Sequence, residues 1–159
     1  MIRTGIGFDT HAFVYNRKLV IGGVIVPFEK GLAGHSDADV LVHAIIDAIL
    51  GAAALGDIGL FFPSSDNNFK DINSLELLKR TVVVAGNAGF KIVNTDSTVI
   101  LQTPVIQPYI KEMRLNIAGA LNVDVSQVSV KATTTDRLGF TGKGEGVAAL
   151  STVLLEKIG

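Results

Sequence analysis

The chain has three histidines, and each lies in a segment that also carries acidic residues. Asp9 and His11 are two residues apart, so on a strand both side chains would leave the same face. Asp39, His43 and Asp47 recur every four residues in an apolar segment, where a helix would align them as a polar stripe. A carboxylate and two imidazoles are ligands that zinc accepts, with a fourth position left open. Asp9, His11 and His43 are therefore candidate metal ligands, and Asp39 or Asp47 could orient His43.

The histidine segments also have an interpretation without a metal. His43 could be a hydrogen-bonded residue at a helix boundary, and Asp9-Thr10-His11 could be an ordinary strand end. A polar stripe buried without partners would cost several kcal/mol, which favours a metal. The spacing leaves a metal site possible and does not identify a reaction.

Two segments near the C-terminus could bind phosphate. The glycines of Gly139–Gly146 can bring backbone N–H groups close to an anion, and Lys143 would add charge. The same segment could instead be a flexible hairpin loop. The hydroxyls of Thr133–Thr135 could donate to phosphate oxygens while Asp136 holds Mg²⁺. Taken alone, the preference of threonine for strands explains that cluster more simply.

Composition excludes several classes of protein. The chain has 159 residues, of which 48% are hydrophobic and 18% charged, which excludes intrinsic disorder and allows a sizeable core. The 14 Lys and Arg against 15 Asp and Glu give a net charge of -1, so no general attraction to nucleic acid or membrane is expected. The absence of cysteine excludes disulfides, iron–sulfur clusters and a thiol nucleophile.

The N-terminus and the longest apolar stretch bear on location. Residues 1–5 lead into strand-like sequence without the apolar region of a signal peptide. The stretch 40–55 is interrupted by His43, Asp47 and Gly51 and is too short to span a bilayer. We therefore expect a soluble, cytoplasmic protein with no nucleic-acid or membrane partner. Its mean hydropathy of +0.43 is high for a small chain and predicts a buried subunit interface.

Strands and helices alternate along the chain, and no linker or repeat divides it, which predicts one domain over residues 1–159. We predict strands at 3–10, 91–101 and 128–134, a hairpin of 18–21 with 24–26, helices at 36–55, 75–88 and 104–120, a glycine-rich loop at 135–146, and a strand or helix at 147–156. Ser36 is expected to cap the first helix in a capping box with Asp39, and Gly56 to end it. Pro104 suits the first turn of the third helix. The pattern predicts an α+β fold, an α/β sandwich with a mixed sheet and helices on one face.

Five segments stand out by their order and spacing. They are GIGFDTHAF at 5–13, GHSDADV at 34–40 continuing to His43, GAAALGDIG at 51–59, FPSSD at 62–66, and KATTTDRLGFTGKGEG at 131–146. Together they span nearly the whole chain and are far more specific than any single motif. In this combination the chain resembles the 2-C-methyl-D-erythritol 2,4-cyclodiphosphate synthase family.

The resemblance implies a cyclising phosphorus–oxygen lyase of non-mevalonate isoprenoid biosynthesis. Its substrate would be 4-diphosphocytidyl-2-C-methyl-D-erythritol 2-phosphate. The 2-phosphate attacks the β-phosphorus and expels CMP, which closes 2-C-methyl-D-erythritol 2,4-cyclodiphosphate. The resemblance further implies a homotrimer with each active site between neighbouring subunits. A central channel of that trimer could bind an isoprenoid diphosphate.

The resemblance also implies two metal ions. Asp9, His11 and His43 would hold Zn²⁺, whose open position takes a β-phosphate oxygen. Mg²⁺ or Mn²⁺ would bridge the α- and β-phosphates, with Asp136 beside it. The attacking phosphate is already anionic, so the reaction needs no general base, and cations and hydrogen-bond donors must instead neutralise the two anions that approach each other.

Catalytic and substrate-binding residues follow from the same resemblance. His35 and Thr134 match family positions credited with stabilising the transition state, and the 101–107 segment would read cytosine through backbone groups. The full substrate-binding set would be Asp9, Thr10, His11, His35, Ser36, Asp57, Ile58, Gly59, Phe62, Pro63, Ser64, Ser65, Asp66, Leu101, Gln102, Thr103, Pro104, Val105, Ile106, Gln107, Thr133, Thr134, Thr135, Asp136, Phe140 and Lys143.

Three residues depart from the family pattern. Asp136 stands where the family usually has Glu, so its contact to a second cation would lengthen or pass through water. Ser64 replaces a common Asp, and Val105 follows Pro104 where many members carry Lys. These departures predict altered affinity and unchanged chemistry.

Two other functions compete with the cyclising enzyme. A metal-dependent hydrolase would cleave the same diphosphate with water, but the candidate bases are taken up by the metal site. A non-catalytic trimer that senses diphosphates would have no need of His35, Thr134 and Lys143, so their presence argues against it.

Overall fold

Seven strands and five helices make up the computed structural model, which describes residues 1–159. The strands are β1 (Ile2–Tyr15), β2 (Leu19–Ile21), β3 (Val24–Val26), β4 (Lys30–Leu32), β5 (Phe90–Ile100), β6 (Val128–Thr133) and β7 (Gly146–Lys157). The helices are α1 (Val40–Ala52), α2 (Ile58–Phe61), α3 (Ser74–Asn87), α4 (Ile110–Leu121) and α5 (Gly139–Gly142). Five strands form one sheet in the order β4-β1-β7-β5-β6, and β2 and β3 form a separate hairpin. Only β5 and β6 are parallel, so the prediction of a mixed sheet is confirmed.

Strand β1 is longer than its sequence pattern indicates. It pairs with β7 from Ile2 to Ala12 and then with β4 from Phe13 to Tyr15. The predicted strand over 3–10 ended between the polar residues Asp9 and His11. Pairing first with β7 and then with β4 keeps the backbone extended past both residues.

Two glycines of β1 let α1 lie directly on the sheet. A Cβ on Gly5 would be 2.0 Å from the carbonyl oxygen of Ala48, and one on Gly7 would be 1.8 Å from that of Ala44. Without side chains between them, the strand and the helix backbones approach closely. On the opposite face of β1, Phe8 is 58% exposed. The helices therefore pack on one face of the sheet, as predicted.

Helix α1 begins later than predicted. Asp39, and not Ser36, is the N-cap, because its Oδ1 accepts from the backbone N–H of Val42 at 3.1 Å. The preceding segment is held away from helical geometry by a backbone hydrogen bond from Asp37 to Ile72 of 3.1 Å. The predicted capping box is therefore wrong.

The same helix also ends before the predicted Gly56. Its last residue is Ala52, and the Leu55 N–H donates back to the Leu50 carbonyl at 2.9 Å. Ala54 adopts the left-handed conformation, with φ of 57°, that usually favours glycine at this position. Eleven of the 13 residues of α1 are buried, because the sheet covers one side and α3 the other.

The remaining elements agree with prediction except around the third helix and the glycine-rich segment. Pro104 lies in the loop after β5, behind a cis peptide bond, and α4 starts at Ile110 after a 3₁₀ turn over Gln107–Tyr109. The segment predicted as a loop contains α5, and the open choice at the C-terminus resolves to the strand β7. None of the helices combines the length and apolar character that a bilayer crossing requires.

Candidate active site

Three potential metal ligands meet where β1 passes the first turn of α1. The Asp9 Oδ2 lies 2.8 Å from His11 Nε2 and 3.2 Å from His43 Nδ1. The two ring nitrogens are also 3.2 Å apart. The spacing along β1 and the position of His43 on α1 bring together the candidate ligands that the sequence indicated.

Each histidine is anchored through its other ring nitrogen. His11 Nδ1 donates to the carbonyl oxygen of Ala33 at 2.6 Å. In the neutral ring, Nε2 then carries a lone pair and no proton. His43 Nε2 lies 2.9 Å from the Ser74 hydroxyl and 3.1 Å from the Ser36 hydroxyl. The Nδ1 of His43 and the Nε2 of His11 are thereby turned toward the Asp9 carboxylate.

The expected orienting carboxylates do not touch His43. Asp39 accepts from the backbone N–H groups of Gly22 and Gly23 at 2.9 and 2.7 Å, in addition to its cap of α1. Asp47 accepts from the Ile58 N–H at 2.8 Å and so holds the start of α2, and burial raises its pKa. The prediction that one of them orients His43 is wrong, because each is used by backbone groups that helical spacing does not reveal.

Burial and charge shift the pKa values of two carboxylates in opposite directions. Burial would raise the pKa of Asp9, but hydrogen bonds and charges from His11 and His43 outweigh it and lower the pKa to about 2. Burial also disfavours the charged His11 ring, yet the Asp9 carboxylate raises the pKa of His11. Burial and the charge of Asp37 raise the pKa of Asp39 to about 6, against its three backbone hydrogen bonds.

The donor set fits a metal ion. Ligand atoms about 2.0 Å from a tetrahedral ion are about 3.3 Å apart, close to the 2.8–3.2 Å found among Asp9, His11 and His43. With the other nitrogen of His11 committed to a carbonyl, its lone pair faces a carboxylate, and two acceptors repel unless a cation or proton lies between them. Asp9, His11 and His43 form a group that could bind a metal ion.

A pocket opens beside this group. We call it the histidine pocket, and it is lined by His11, His35, Ser36, His43, Ile58, Gly59, Phe62, Ser64, Phe69 and Leu77. His35 Nε2 is 2.9 Å from the carbonyl oxygen of Asp66, which ties the ring to the 62–66 segment. Phe69 and Leu77 were not among the predicted site residues, because in a sequence an apolar residue of a pocket wall looks the same as one of the core.

A second depression lies at the same end of the sheet. We call it the loop cleft, and it is lined by Leu101, Gln102, Pro104, Val105, Ile106, Gln107, Ala132, Thr133 and Thr134. Gln102 accepts from the Arg137 N–H at 3.0 Å, which joins the two loops that form it. The register places Thr10 and Ile100 on either side of Ala148, so β7 separates the pocket and the cleft by about two strand spacings, or about 10 Å.

Several candidate residues therefore remain outside the histidine pocket. Thr134 and Asp136 are exposed at the far side of β7 and interact with each other. Thr10 points to the sheet face opposite Asp9 and His11. Phe140 and Lys143, on and after α5, line neither depression. The candidate residues not yet placed lie on the flanking loops, as Asp66 does; they are Asp57, Pro63, Ser65, Thr103 and Thr135.

Three residues that support the site were missed. Arg17 donates to the carbonyl oxygens of Gly34 and Ser36 at 2.7 and 2.8 Å and so holds the backbone on both sides of His35. Ser74 contacts His43, and Asp37 contacts Ser74. No local pattern marks these residues, because their partners are distant in sequence.

A family model matches the chain over nearly its full length. The YgbB family model covers residues 2–156. The chain belongs to the YgbB family. A relative from Alkaliphilus oremlandii named 2-C-methyl-D-erythritol 2,4-cyclodiphosphate synthase is 60% identical over 148 residues, 93% of this chain and 94% of that protein. One of the same name from Geobacillus kaustophilus is 57% identical over 157 residues, 99% of each chain.

Solved structures extend the YgbB likeness to the fold. The bifunctional IspDF of Campylobacter jejuni matches with a TM-score of 0.96 and 47% identity over 99% of this chain, which spans 43% of that longer protein. IspF of Plasmodium falciparum, solved as a CDP complex, matches with a TM-score of 0.87 and 34% identity over 99% of this chain and 97% of its own.

Proposed function

We propose that this chain converts 4-diphosphocytidyl-2-C-methyl-D-erythritol 2-phosphate to 2-C-methyl-D-erythritol 2,4-cyclodiphosphate and CMP. This makes it a cyclising lyase of non-mevalonate isoprenoid biosynthesis. The observation that carries the proposal is the metal-competent group Asp9, His11 and His43 at the wall of a pocket shared with His35 and Ser36. It is supported by identities of 60% over 93% of the chain and 57% over 99% of the chain to proteins named for this reaction.

Zinc is the metal that we propose for the histidine group. Two imidazoles and one carboxylate form the three-ligand set of many catalytic zinc sites. When bound, zinc supplies Lewis-acid polarisation of a phosphate oxygen. The chain's own part is to hold Asp9 and His11 rigid on one strand and to turn His43 toward them from α1.

The remaining side chains would hold the substrate in line and neutralise its charge. His35, fixed against the Asp66 carbonyl, and Ser36 face the pocket where the reacting phosphates would lie. The attacking phosphate is an anion at neutral pH, so the pocket needs donors and not a general base. The α2 region and the 62–66 segment would contact the erythritol and ribose.

The loop cleft would bind the cytidine end of a substrate. Backbone groups of the 101–107 segment would read cytosine, since the donor and acceptor edges of cytosine and uracil differ. Thr133–Thr135 would donate to phosphate oxygens, and Thr134 would act in the transition state. Asp136 would face Mg²⁺ or Mn²⁺ across the diphosphate, with Phe140 and Lys143 beside the substrate.

A homotrimer would bring the two depressions together. Within one chain β7 separates the histidine pocket from the loop cleft, and they share no lining residue. The sheet face opposite the helices leaves Ile6, Phe8 and Leu150 at 67%, 58% and 38% exposed. Burial of that apolar face between copies would seat one chain's cleft against a neighbour's pocket. The central channel so formed could take an isoprenoid diphosphate, and calorimetry that detects no binding would remove that part of the proposal.

The reaction is tested by ³¹P NMR of the purified protein with the substrate, Zn²⁺ and Mg²⁺. Cyclic diphosphate with CMP is the expected product pair. CMP with a linear bisphosphate would identify a hydrolase, and unchanged substrate with a folded, zinc-loaded oligomer would identify a binding protein. Sedimentation velocity gives the assembly in the same sample, and a monomer would contradict the trimer.

A further inference from the structure

Ser74, the first residue of α3, is fully buried against the ring of His43. Its hydroxyl lies 2.9 Å from His43 Nε2 and also contacts Asp37 Oδ1. We propose that Asp37 and Ser74 form a hydrogen-bonded chain that fixes His43 as a metal ligand through Nδ1. Both would be positioning residues for the metal site in the proposed function, on which this inference rests.

The chemistry of the groups sets the direction of each hydrogen bond. His43 Nδ1 faces Asp9 Oδ2 and His11 Nε2, so a metal ligand at this position needs a lone pair on Nδ1. The ring proton then sits on Nε2 and is donated to the Ser74 oxygen. The Ser74 hydroxyl in turn donates to Asp37, since a carboxylate only accepts. The position of each proton in this series of hydrogen bonds is then determined.

The opposite tautomer of His43 would disrupt both ends of this chain. A proton on Nδ1 would point into the metal site, and the bare Nε2 would need a donor. Ser36 could donate to that nitrogen at 3.1 Å, but the Ser74 oxygen, 2.9 Å away and with its proton given to Asp37, would face it lone pair to lone pair. The carboxylate therefore selects the tautomer that binds metal, through the hydroxyl between them.

Asp37 is itself held by the backbone on both sides. Its Oδ2 accepts from the Ser74 N–H at 3.0 Å, and its Oδ1 accepts from the Asp39 N–H at 3.1 Å. The Asp37 N–H donates to the Ile72 carbonyl at 3.1 Å. These bonds connect the segment before α1 to the segment before α3. They fix the position of the Asp37 carboxylate, so a different rotamer of Ser74 would lose its hydrogen bond to that carboxylate.

Ser36 is a weaker candidate for the same role. Its hydroxyl is 3.1 Å from His43 Nε2, but it accepts from the Ala38 N–H at 3.2 Å and contacts no carboxylate. Ser74 is closer to the ring, and its proton is committed to Asp37. The orienting role therefore falls on Ser74.

The test measures zinc affinity by competition with a chromophoric chelator, using the full-length protein and Ser74→Ala, Asp37→Asn and Asn73→Ala variants. Loss of such an outer hydrogen bond typically weakens metal binding about 10- to 100-fold. We expect that loss for Ser74→Ala and a smaller loss in the same direction for Asp37→Asn. The visible spectrum of the Co²⁺-loaded protein should change in both variants.

Asn73→Ala is the matched control, because Asn73 caps the same helix through the Leu75 N–H and does not touch His43. Its zinc dissociation constant should stay within about twofold of the unaltered chain, since it leaves the ligand shell intact. A loss in Asn73→Ala equal to that in Ser74→Ala would overturn the inference, because the effect would then come from the helix start.

Unchanged zinc affinity in a folded Ser74→Ala variant would also overturn it. If Ser74→Ala does not fold, Asp37→Asn decides, since Asp37 is only partly buried. Failure of the unaltered chain to bind zinc would instead contradict the proposed metal site, so the two failures are distinguishable.

Discussion

The histidine pocket and the loop cleft differ in how far their side chains are buried and held by other groups of the chain. In the pocket, His43 is buried, and both candidate ligating histidines are anchored by backbone or hydroxyl groups. In the cleft, Ala132, Thr133 and Thr134 are exposed, and Val105 is 74% exposed. Hydrogen bonds within the chain therefore hold the two histidines in place, whereas the β6 side of the cleft is open to solvent.

This difference matches what each region is proposed to bind. A metal ion needs converging lone pairs held within tenths of an ångström, which requires a buried, hydrogen-bonded frame. A flat nucleobase can be read by backbone groups of a loop once another surface closes over it. The comparison therefore predicts strong, local mutational effects in the pocket and effects that cross between subunits in the cleft.

The largest expected effect is on the pocket's metal. His43→Ala removes one of three ligands and should lower turnover by about a thousandfold, since the transition state loses several kcal/mol of charge stabilisation. Elemental analysis should find little zinc in the variant. His35→Ala is the contrasting variant, because it should lose turnover and keep its zinc. Full zinc occupancy in His43→Ala would show that the ligand assignment is wrong.

The second prediction tests whether pocket and cleft join across subunits. His43→Ala and Thr134→Ala, each expected to be nearly inactive, are coexpressed and purified as mixed oligomers. With random assembly, about a quarter of the sites should combine an intact pocket with an intact cleft, and activity should return to about that level. Mixing that restores no activity would mean that one chain supplies both halves.

A third prediction concerns the pH dependence of stability and Asp39, which caps the helix that carries His43. The pKa of Asp39 is raised from 3.8 to about 6, so between these values only the folded state keeps the proton. The free energy of unfolding should therefore fall as pH rises through this range, by about 2 to 3 kcal/mol in total, because each pKa unit is worth about 1.4 kcal/mol.

Asp39→Asn isolates this contribution, because an amide does not titrate. The difference in unfolding free energy between the unaltered chain and the variant, measured by urea at pH 4, 5, 6 and 7, should shrink as pH rises. Parallel curves would remove Asp39 as the titrating group. The exposed cleft residues offer no buried carboxylate of this kind.

The fourth prediction concerns the backbone that carries His35. Arg17→Ala removes two charge-assisted hydrogen bonds to the carbonyls of Gly34 and Ser36 and should lower turnover about tenfold. Arg17→Lys should recover only part of it, since an ammonium cannot span both carbonyls as a guanidinium does. Lys18→Ala, at the exposed neighbour, is the control and should leave turnover unchanged. An Arg17→Ala variant with unaltered kinetics would show that the backbone around His35 keeps its position without Arg17.

The smallest effect is expected in the cleft. Val105→Lys places a cation where many family members have one and should lower the KM for substrate about two- to fivefold, as expected for a solvent-exposed charge contact. The unfolding free energy should change by less than about 0.5 kcal/mol, because the side chain is exposed. An unchanged KM would place Val105 away from the substrate phosphates.

Sequence patterns predicted the elements whose signals are local. The hairpin with Gly22 and Gly23 at positive φ, the helix over 74–87 and the strand over 90–100 lie where turn residues and periodicity indicated. The predicted ends of α1 were wrong: the first depends on partners distant in sequence, and the second on an alanine in a conformation that usually favours glycine. The cap at Asp39 also holds the hairpin, and Ala54 takes the left-handed turn expected of Gly56.

The candidate metal ligands could be chosen from the sequence because residue type and spacing carry that information. Asp9 and His11 share one strand face, and His43 is a polar residue in an apolar helix. Their convergence within hydrogen-bonding distance, and the choice of Ser74 over Asp39 or Asp47 as the partner of His43, depended on how α1 and α3 pack. The separation of pocket and cleft by β7 likewise arose from strand order, which pairs the first strand of the chain with the last. The sequence by itself determines which groups can do chemistry, because the type of each side chain is a local property. Only the tertiary structure decides which of them meet, because contacts join residues that are distant in sequence.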